Sequence, residues 1–322
     1  MNIRRMRIVL VLVSAVMVLG ALDARPQDDG RFPPFITPNK DYFVTRIGVL
    51  PEIEASSYRL EIKGLVQTPK KFTLEELRAM PMTELTLTVE CIGNGAGGPL
   101  VSTAVWKGVL LRDLLKSLGV NERATGVRYE SADAYYSSHT MAQVRDNGIM
   151  VALLMNGEPI PRLHGFPVRI LNPGFYGVKQ PAWITSIEVI DRPMKDYWED
   201  GGWDCSLPMA VDSLFFFPQA SVVVKRAKPL KLGGAAFGGT RVARVDLTTD
   251  GGKSWTEASI VKRMEADNVW VFWEAELVFP SVGGYVVRAR ATDIRGRSQP
   301  ETDPEAFDGT NEWAALKVKV KK

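Results

Sequence analysis

The stretch Thr83-Glu84-Leu85-Thr86-Leu87-Thr88-Val89-Glu90-Cys91-Ile92-Gly93-Asn94-Gly95 alternates apolar and polar residues and then runs into a cysteine and a glycine-rich turn. A period of two marks a strand with one buried face, and Leu85, Leu87 and Val89 define that face. Cys91 has the same parity, so its thiol continues the buried row. Gly93 and Gly95 then permit a sharp bend that residues with side chains resist. A soft sulfur donor is thereby presented at a strand end, as a thiolate metal ligand requires. A plainer reading stands beside this one, because an unpaired cysteine is among the most buried residue types and often behaves as a small hydrophobe.

On the N-terminal side, Tyr58-Arg59-Leu60-Glu61-Ile62-Lys63-Gly64-Leu65 has strand alternation, and Thr73-Leu74-Glu75-Glu76 is a capping box opening a short helix that Pro81 closes. On the C-terminal side, Leu111, Leu114, Leu115 and Leu118 recur at helical spacing, with Gly119 as the stop. Val127-Arg128-Tyr129-Glu130-Ser131-Ala132-Asp133 reads as a strand and Asn156-Gly157 as a tight turn. This first region is α+β. Beyond about Pro218 only strands and turns follow: 242–247 joined through Asp250-Gly251-Gly252 to 255–260, then 269–279, 285–291 and 314–320. That pattern predicts a β-sandwich of immunoglobulin-like architecture. Trp255, Trp270, Phe272 and Trp273 lie at strand spacing and are expected to fill its core.

A length of 322 residues accommodates two domains. Lys+Arg 40 against Asp+Glu 37 gives a formal net charge of only +3, with no long basic run, which argues against nucleic-acid binding. Residues 1–24 read as a signal peptide, or alternatively as an uncleaved N-terminal anchor: Arg4, Arg5 and Arg7 precede the apolar run 8–22, and small residues follow at Ala21 and Ala24. The run is shorter than the ~20 residues of a spanning helix, which favours cleaved export to the periplasm or outside the cell. Arg4-Arg5 is compatible with the twin-arginine route. Cys91 and Cys205 are the two cysteines of the chain; a disulfide between them and a metal-bound thiolate at Cys91 exclude each other.

A second segment changes the weight of Cys91: His164-Gly165-Phe166-Pro167-Val168-Arg169-Ile170-Leu171-Asn172-Pro173-Gly174-Phe175-Tyr176-Gly177. Together with Phe72-Thr73-Leu74-Glu75-Glu76-Leu77, Glu90-Cys91-Ile92-Gly93-Asn94, Thr103-Ala104-Val105-Trp106-Lys107-Gly108-Val109, Asn156-Gly157-Glu158-Pro159 and, later, Asp250-Gly251-Gly252-Lys253-Ser254-Trp255 and Ala289-Arg290-Ala291-Thr292-Asp293, it makes the chain resemble the sulfite oxidase family of molybdenum enzymes. The resemblance implies a molybdopterin-binding oxidoreductase domain over 40–210 and an immunoglobulin-like domain, often used for dimerisation, over 218–322. It implies a molybdenum-molybdopterin cofactor with Cys91 as the protein thiolate on the metal, Tyr197 as an active-site tyrosine, and Arg46, Asn94, Ser131, His164, Arg169 and Lys179 as residues at or near the cofactor. A guanidinium suits a phosphate because it offers a planar pair of donors.

The departures matter equally. Family members that oxidise sulfite carry an Arg-Asn-His run where this chain has Thr45-Arg46-Ile47, an arginine where it has Gly95-Ala96-Gly97-Gly98, and another where Phe307-Asp308-Gly309 stands. A small dianion needs several fixed cations to offset its lost hydration. The expected enzyme is therefore an exported oxygen-atom-transfer oxidoreductase for a small substrate other than sulfite. No haem-attachment, flavin or cluster motif occurs, so electrons would pass to a separate partner such as a cytochrome. Three alternatives stand: a true sulfite dehydrogenase, a family-derived binding or structural protein without the ancestral catalysis, and a cysteine hydrolase pairing Cys91 with His139 or His164.

Overall fold

The structure, a computed structural model, describes residues 31–305 and 307–322; the expected signal or anchor at 1–24 lies outside the described residues. The first domain contains two five-stranded sheets. One has the order Lys70–Phe72, Leu60–Gly64, Ile184–Ile190, Gly126–Ser131 and Tyr136–Thr140. The other runs Thr83–Glu90, Val101–Leu110, Met150–Met155 and Glu158–Pro159, with Arg169–Leu171 paired onto Met150–Met155. Leu60, Ile62, Leu77, Leu111, Leu114, Tyr129, Val151 and Ile187 share its main core. The Thr73 capping box forms as the sequence predicts, Thr73 accepting from the Glu76 amide and Glu76 accepting in return.

The second domain is a two-sheet sandwich. Asp212–Phe217, Pro229–Phe237, Val271–Val278 and Ser259–Lys262 form one sheet; Val222–Lys225, Ala314–Lys321, Gly283–Asp293, Val242–Thr248 and Thr256–Glu257 form the other. Leu232, Val245, Trp273, Val287, Leu316 and Val318 fill the space between them. The sequence is therefore read correctly as an α+β domain followed by a β-sandwich.

Three details differ from expectation. The segment 255–260 is not one strand: Thr256–Glu257 pairs with Val242–Thr248, whereas Ser259–Lys262 pairs in the opposite sheet. Ala258, buried between them, is where the chain crosses the sandwich edge. Asp212–Phe217, left ahead of the second domain by a boundary at 218, is a strand of the sandwich. Of the four aromatics assigned to the sandwich core, only Trp273 fills it. Trp270 and Phe272 pack between the domains, and Trp255 lies against Trp313 with Arg290 over its ring at 3.8 Å.

The domain seam explains why the decisive strand is more buried than simple alternation predicts. Leu87 and Val89 enter the first-domain core, but Thr88 and Glu90 on the opposite face are also buried. The Thr88 amide donates to the Asn268 carbonyl at 2.8 Å, and its hydroxyl accepts from the Trp270 amide at 2.8 Å. Around these bonds Phe35, Ile92, Tyr176, Phe237, Trp270 and Phe272 form a continuous apolar cluster. The seam also holds a carboxyl pair, Glu90 from the first domain and Asp212 from the second. Burial raises both above the usual carboxylate range, and the Asp212 charge further disfavours ionisation of Glu90, which in turn hydrogen-bonds Asp212, so the pair retains a proton at neutral pH.

The outer face of the larger sandwich sheet is basic. Lys317, Lys319 and Lys321 project from one strand, and Lys225 pairs alongside Lys321. Arg244 and Arg290 are paired with Asp246, and Arg288 with Glu301, but no carboxylate lies within ion-pair distance of the four lysines among the described residues.

A raised acid pKa means that the folded state holds its proton more tightly than the unfolded chain. The contribution of Asp212 is complete below the ordinary aspartate range and is lost as pH rises toward about 8. Asp212→Asn supplies an N–H to Glu90 without that proton. Between pH 5 and 8, on the order of the window just named, wild-type unfolding temperature should fall more steeply than that of Asp212→Asn, as thermal melts will show; parallel slopes would contradict the shared-proton reading.

Candidate active site

Beyond Glu90 the chain leaves the sheet and turns within four residues. The Asn94 amide donates to the Cys91 carbonyl at 2.9 Å, and the buried Asn94 side chain donates to Glu90 at 3.0 Å while accepting from the Leu100 amide at 3.0 Å. Asn94 does not line the cavity; it holds the loop that carries the cysteine. Gly177 packs from the other side, where a Cβ would come 3.3 Å from the Glu90 carbonyl oxygen and 3.8 Å from the Cys91 Cα. That close approach excludes a larger residue without displacement of the strand end.

Cys91 is half-buried at the wall of a cavity of about 260 Å³. Burial raises its thiol pKa, opposed by hydrogen bonding from the Gly93 amide and Thr45. Cys205 is a separate free thiol in the interdomain cluster, so the disulfide alternative is not realised. Arg46, His164 and Arg169 reach the same cavity, as the sequence reading expected of cofactor-binding groups. His164 sits in the short 3-10 turn Arg162–His164, with Nε2 2.6 Å from the Asn39 carbonyl oxygen. That contact selects the Nε2–H tautomer, and burial lowers the pKa, so the ring is neutral at pH 7.

Arg169 starts the strand Arg169–Leu171 and lies over the Trp106 ring at 5.6 Å. Its Nε donates to the Gln180 carbonyl at 3.2 Å and Nη1 to the His164 carbonyl at 3.3 Å. Burial lowers its pKa, and no carboxylate compensates it among the described residues. Beside it the Tyr42 hydroxyl is buried without a hydrogen-bond partner. A desolvated cation with no protein counter-charge is costly unless an anion completes it.

Other expected residues are placed differently. Lys179 is buried but does not line the cavity; its ammonium pairs with buried Asp196 and donates to the Ser138 carbonyl at 3.1 Å. Ser131 is buried with its hydroxyl unpartnered, at the end of the strand whose following turn brings Asp133 and Tyr135 to the cavity. Tyr197 lies behind the wall, packed against Tyr135, Tyr136 and Trp198. Its neighbour Trp198 and Tyr135 reach the cavity in its place. His139 bonds to the Tyr129 hydroxyl at 2.9 Å inside the first-domain core and does not line the cavity, so it cannot activate Cys91. Thr45, singled out in the sequence as a departure from the sulfite-binding pattern, lines the cavity; sequence reasoning missed Asp133, Trp183 and Trp203. The closely spaced aromatics at 197, 198 and 203 were the available signal for part of this wall.

Residues 47–198 match the model of an oxidoreductase molybdopterin binding domain, and residues 205–322 that of a Mo-co oxidoreductase dimerisation domain. The chain belongs to the sulfite oxidase family. It is a molybdopterin-dependent oxidoreductase. It is 29% identical over 344 residues to a sulfite oxidase of Arabidopsis thaliana, covering 87% of this chain and 86% of that one. Nitrate reductase [NADH] 1 of Phaseolus vulgaris is 30% identical over 333 residues, covering 83% of this chain, but the match spans only 38% of that enzyme. Among solved structures, the sulfane dehydrogenase SoxCD of Paracoccus pantotrophus superposes with a TM-score of 0.79 at 26% identity, covering 88% of this chain and 81% of that chain.

The residues present fit the molybdenum cofactor of this family. No group of three or more His, Cys, Asp and Glu residues able to hold a metal occurs among the described residues, so a metal at Cys91 must arrive within a group carrying ligands of its own. The uncompensated Arg169 supplies the charge that such a group's phosphate requires. Replacing Arg169 by Met retains apolar packing on Trp106 and removes the charge. The variant should lose cofactor at least about tenfold faster, the scale of one or two charge-assisted hydrogen bonds. Its cofactor-free form should melt no lower than wild type. Molybdenum and pterin content after gel filtration, with melting of both forms, checks the pair of outcomes.

Proposed function

We propose that this chain is an exported enzyme that couples oxygen-atom transfer to a two-electron change at molybdenum, acts on a small substrate other than sulfite, and exchanges electrons with a separate protein such as a cytochrome. The observation that carries this reading is the composition of the wall around Cys91. Thr45 lies beside the thiol, and Phe307 meets cavity-lining Trp203 in an edge-on contact at 5.2 Å, where anion-binding arginines would be expected. The Gly95–Gly98 hydrogen bond closes a loop without cationic side chains. Arg46, the remaining cation near this end of the cavity, donates to the Gly48 carbonyl.

When bound, the cofactor supplies the redox change and the site of oxygen exchange. The protein's contribution is positional. The Asn94 bonds and the double-sided burial of its strand fix the Cys91 sulfur before the metal arrives. Cys91 would hold the metal as a thiolate and would give up its proton on doing so, because burial favours the protonated form of the free residue. Neutral His164 can accept a hydrogen bond through Nδ1 without adding repulsion beside Arg169. The apolar walls exclude water and strengthen the remaining polar contacts.

The dimerisation-domain match supports a homodimer, and Arg4-Arg5 supports folded export by the twin-arginine route to the periplasm. Cofactor-loaded protein, assayed with artificial electron donors and acceptors, should turn over neutral sulfoxides and be a poor catalyst for sulfite. Each missing charge-assisted contact removes roughly 1.5–3 kcal/mol of anion recognition. Cys91→Ser should abolish the activity, because a hydroxyl does not replace the thiolate's charge and covalency. Rapid, saturable sulfite oxidation at low concentration would reject the substrate reading, and full activity of a folded Cys91→Ser variant would reject the ligand role.

A further inference from the structure

We propose that the lip of the Cys91 cavity formed by residues 196–210 and 301–313 is the docking surface for a basic redox protein, one with cationic side chains around an exposed apolar edge of its own cofactor. This deepens, and rests on, the reading that electrons pass to a separate protein. The surface begins where the cavity meets solvent. A Cβ on Gly93 would lie 3.6 Å from the Trp203 ring and 4.0 Å from the Cys91 sulfur, and Phe307 meets that ring edge-on at 5.2 Å. Phe307 is 55% exposed, and its carbonyl accepts from the Asp204 amide at 2.8 Å, which joins the two segments. Trp198, 6.3 Å from Trp203 between ring centroids, is also exposed. On the opposite lip Val44 and Leu163 both line the cavity and reach solvent. Large apolar side chains left in water around one opening mark a surface that another molecule covers.

Charge identifies what covers it. Neither segment contains a lysine or an arginine. Asp196 and Glu199 face Lys179, and Glu301 pairs with Arg288, but Asp200, Asp204, Asp303 and Glu305 have no ion-pair partner among the described residues. Asp200, Asp204 and Glu305 are exposed, and they stand one or two residues from Trp198, Trp203 and Phe307 in the chain. The cations of the mouth lie on the other lip and have engagements of their own: Arg46 donates to the Gly48 carbonyl, and Arg162 pairs with Glu52 at 2.9 Å.

An apolar centre with a charged surround is what a brief redox encounter needs. Electron transfer slows steeply with distance, and the Trp203–Phe307 contact brings the protein surface within two side chains of the sulfur. Complexes between redox proteins are small and short-lived, so the mouth is free again between encounters. The carboxylates steer a basic carrier from a distance, and the apolar side chains release water once it arrives. An acidic carrier is repelled, and a second copy of the same lip would set carboxylate against carboxylate.

The probes are two haem proteins of opposite charge, basic cytochrome c and the acidic soluble domain of cytochrome b5. Titration calorimetry on the full protein, with and without its cofactor, should show cytochrome c binding at least about tenfold more tightly at low salt. When the loaded protein is reduced with dithionite and freed of excess reductant, its two electrons pass one each to two ferric haems. The rate with cytochrome c should fall about tenfold as salt rises roughly tenfold from about 20 mM. Combining Asp200→Asn, Asp204→Asn and Glu305→Gln should slow this transfer about tenfold at low salt and flatten its salt dependence. Phe307→Ser should weaken binding about fivefold and keep the salt dependence. Neither variant should slow the reduction of ferricyanide, a small anion that needs no docking surface. Equal affinity for the two haem proteins, or unchanged affinity in the folded triple variant, overturns the proposal; so does a sedimenting dimer that Phe307→Ser splits, since a second copy then covers the lip. Transfer to ferricyanide by a protein that binds neither haem protein overturns the docking surface alone. Charge-selective binding by a protein whose reduced form passes electrons to neither acceptor supports the surface and overturns the redox reading on which its role rests.

Discussion

Burial of both faces of strand Thr83–Glu90 is the constraint on which the rest of the structure depends. An exposed-edge strand could deliver a cysteine to a cavity, but its end would fray and the sulfur would wander. Here Leu87 and Val89 are fixed by one domain and Thr88 and Glu90 by the other. The backbone bond between Thr88 and Asn268 therefore does more than join two domains; it removes freedom from a residue three positions before Cys91. A preorganised donor contributes affinity by reducing what must be ordered when its partner binds.

Charge placement follows the same economy. Half-buried Arg169 is left without a carboxylate at the wall of the Cys91 cavity, whereas the more deeply buried Lys179 nearby is answered by Asp196. The contrast separates a cation open to an outside anion from one satisfied within the fold. Both are basic residues within family-like segments, and sequence position alone could not distinguish them. Their difference lies in whether a carboxylate from a distant strand or turn reaches them, which is a property of the folded chain.

The parts legible in sequence were those governed by local rules: the capping box at Thr73, the helix through Leu111 and Leu114, the tight turn at Asn156-Gly157, and the parity of Cys91. His164, Arg169 and Arg46 were legible through motif and do converge on the Cys91 cavity. What escaped was set by long-range packing. Asp133, Trp183 and Trp203 have no shared local pattern and meet through tertiary structure. Tyr197 shows the limit from the other direction: a helical turn is short enough that the adjacent residue, Trp198, reaches the cavity while the tyrosine braces it. The strand break at Ala258 was similarly hidden, because alternation continues across the point where the chain changes sheets.

The lysine row on Ala314–Lys321 has a consequence for association. Alternation places successive outward side chains roughly 6–7 Å apart along a strand, so Lys317, Lys319 and Lys321 form a ladder of like charge rather than isolated surface cations. Face-to-face stacking of two such ladders would oppose charge with charge, which protects this otherwise regular sheet from adventitious layering. A partner covering it must bring its own carboxylates, and its hold will weaken as added salt shortens the reach of those charges.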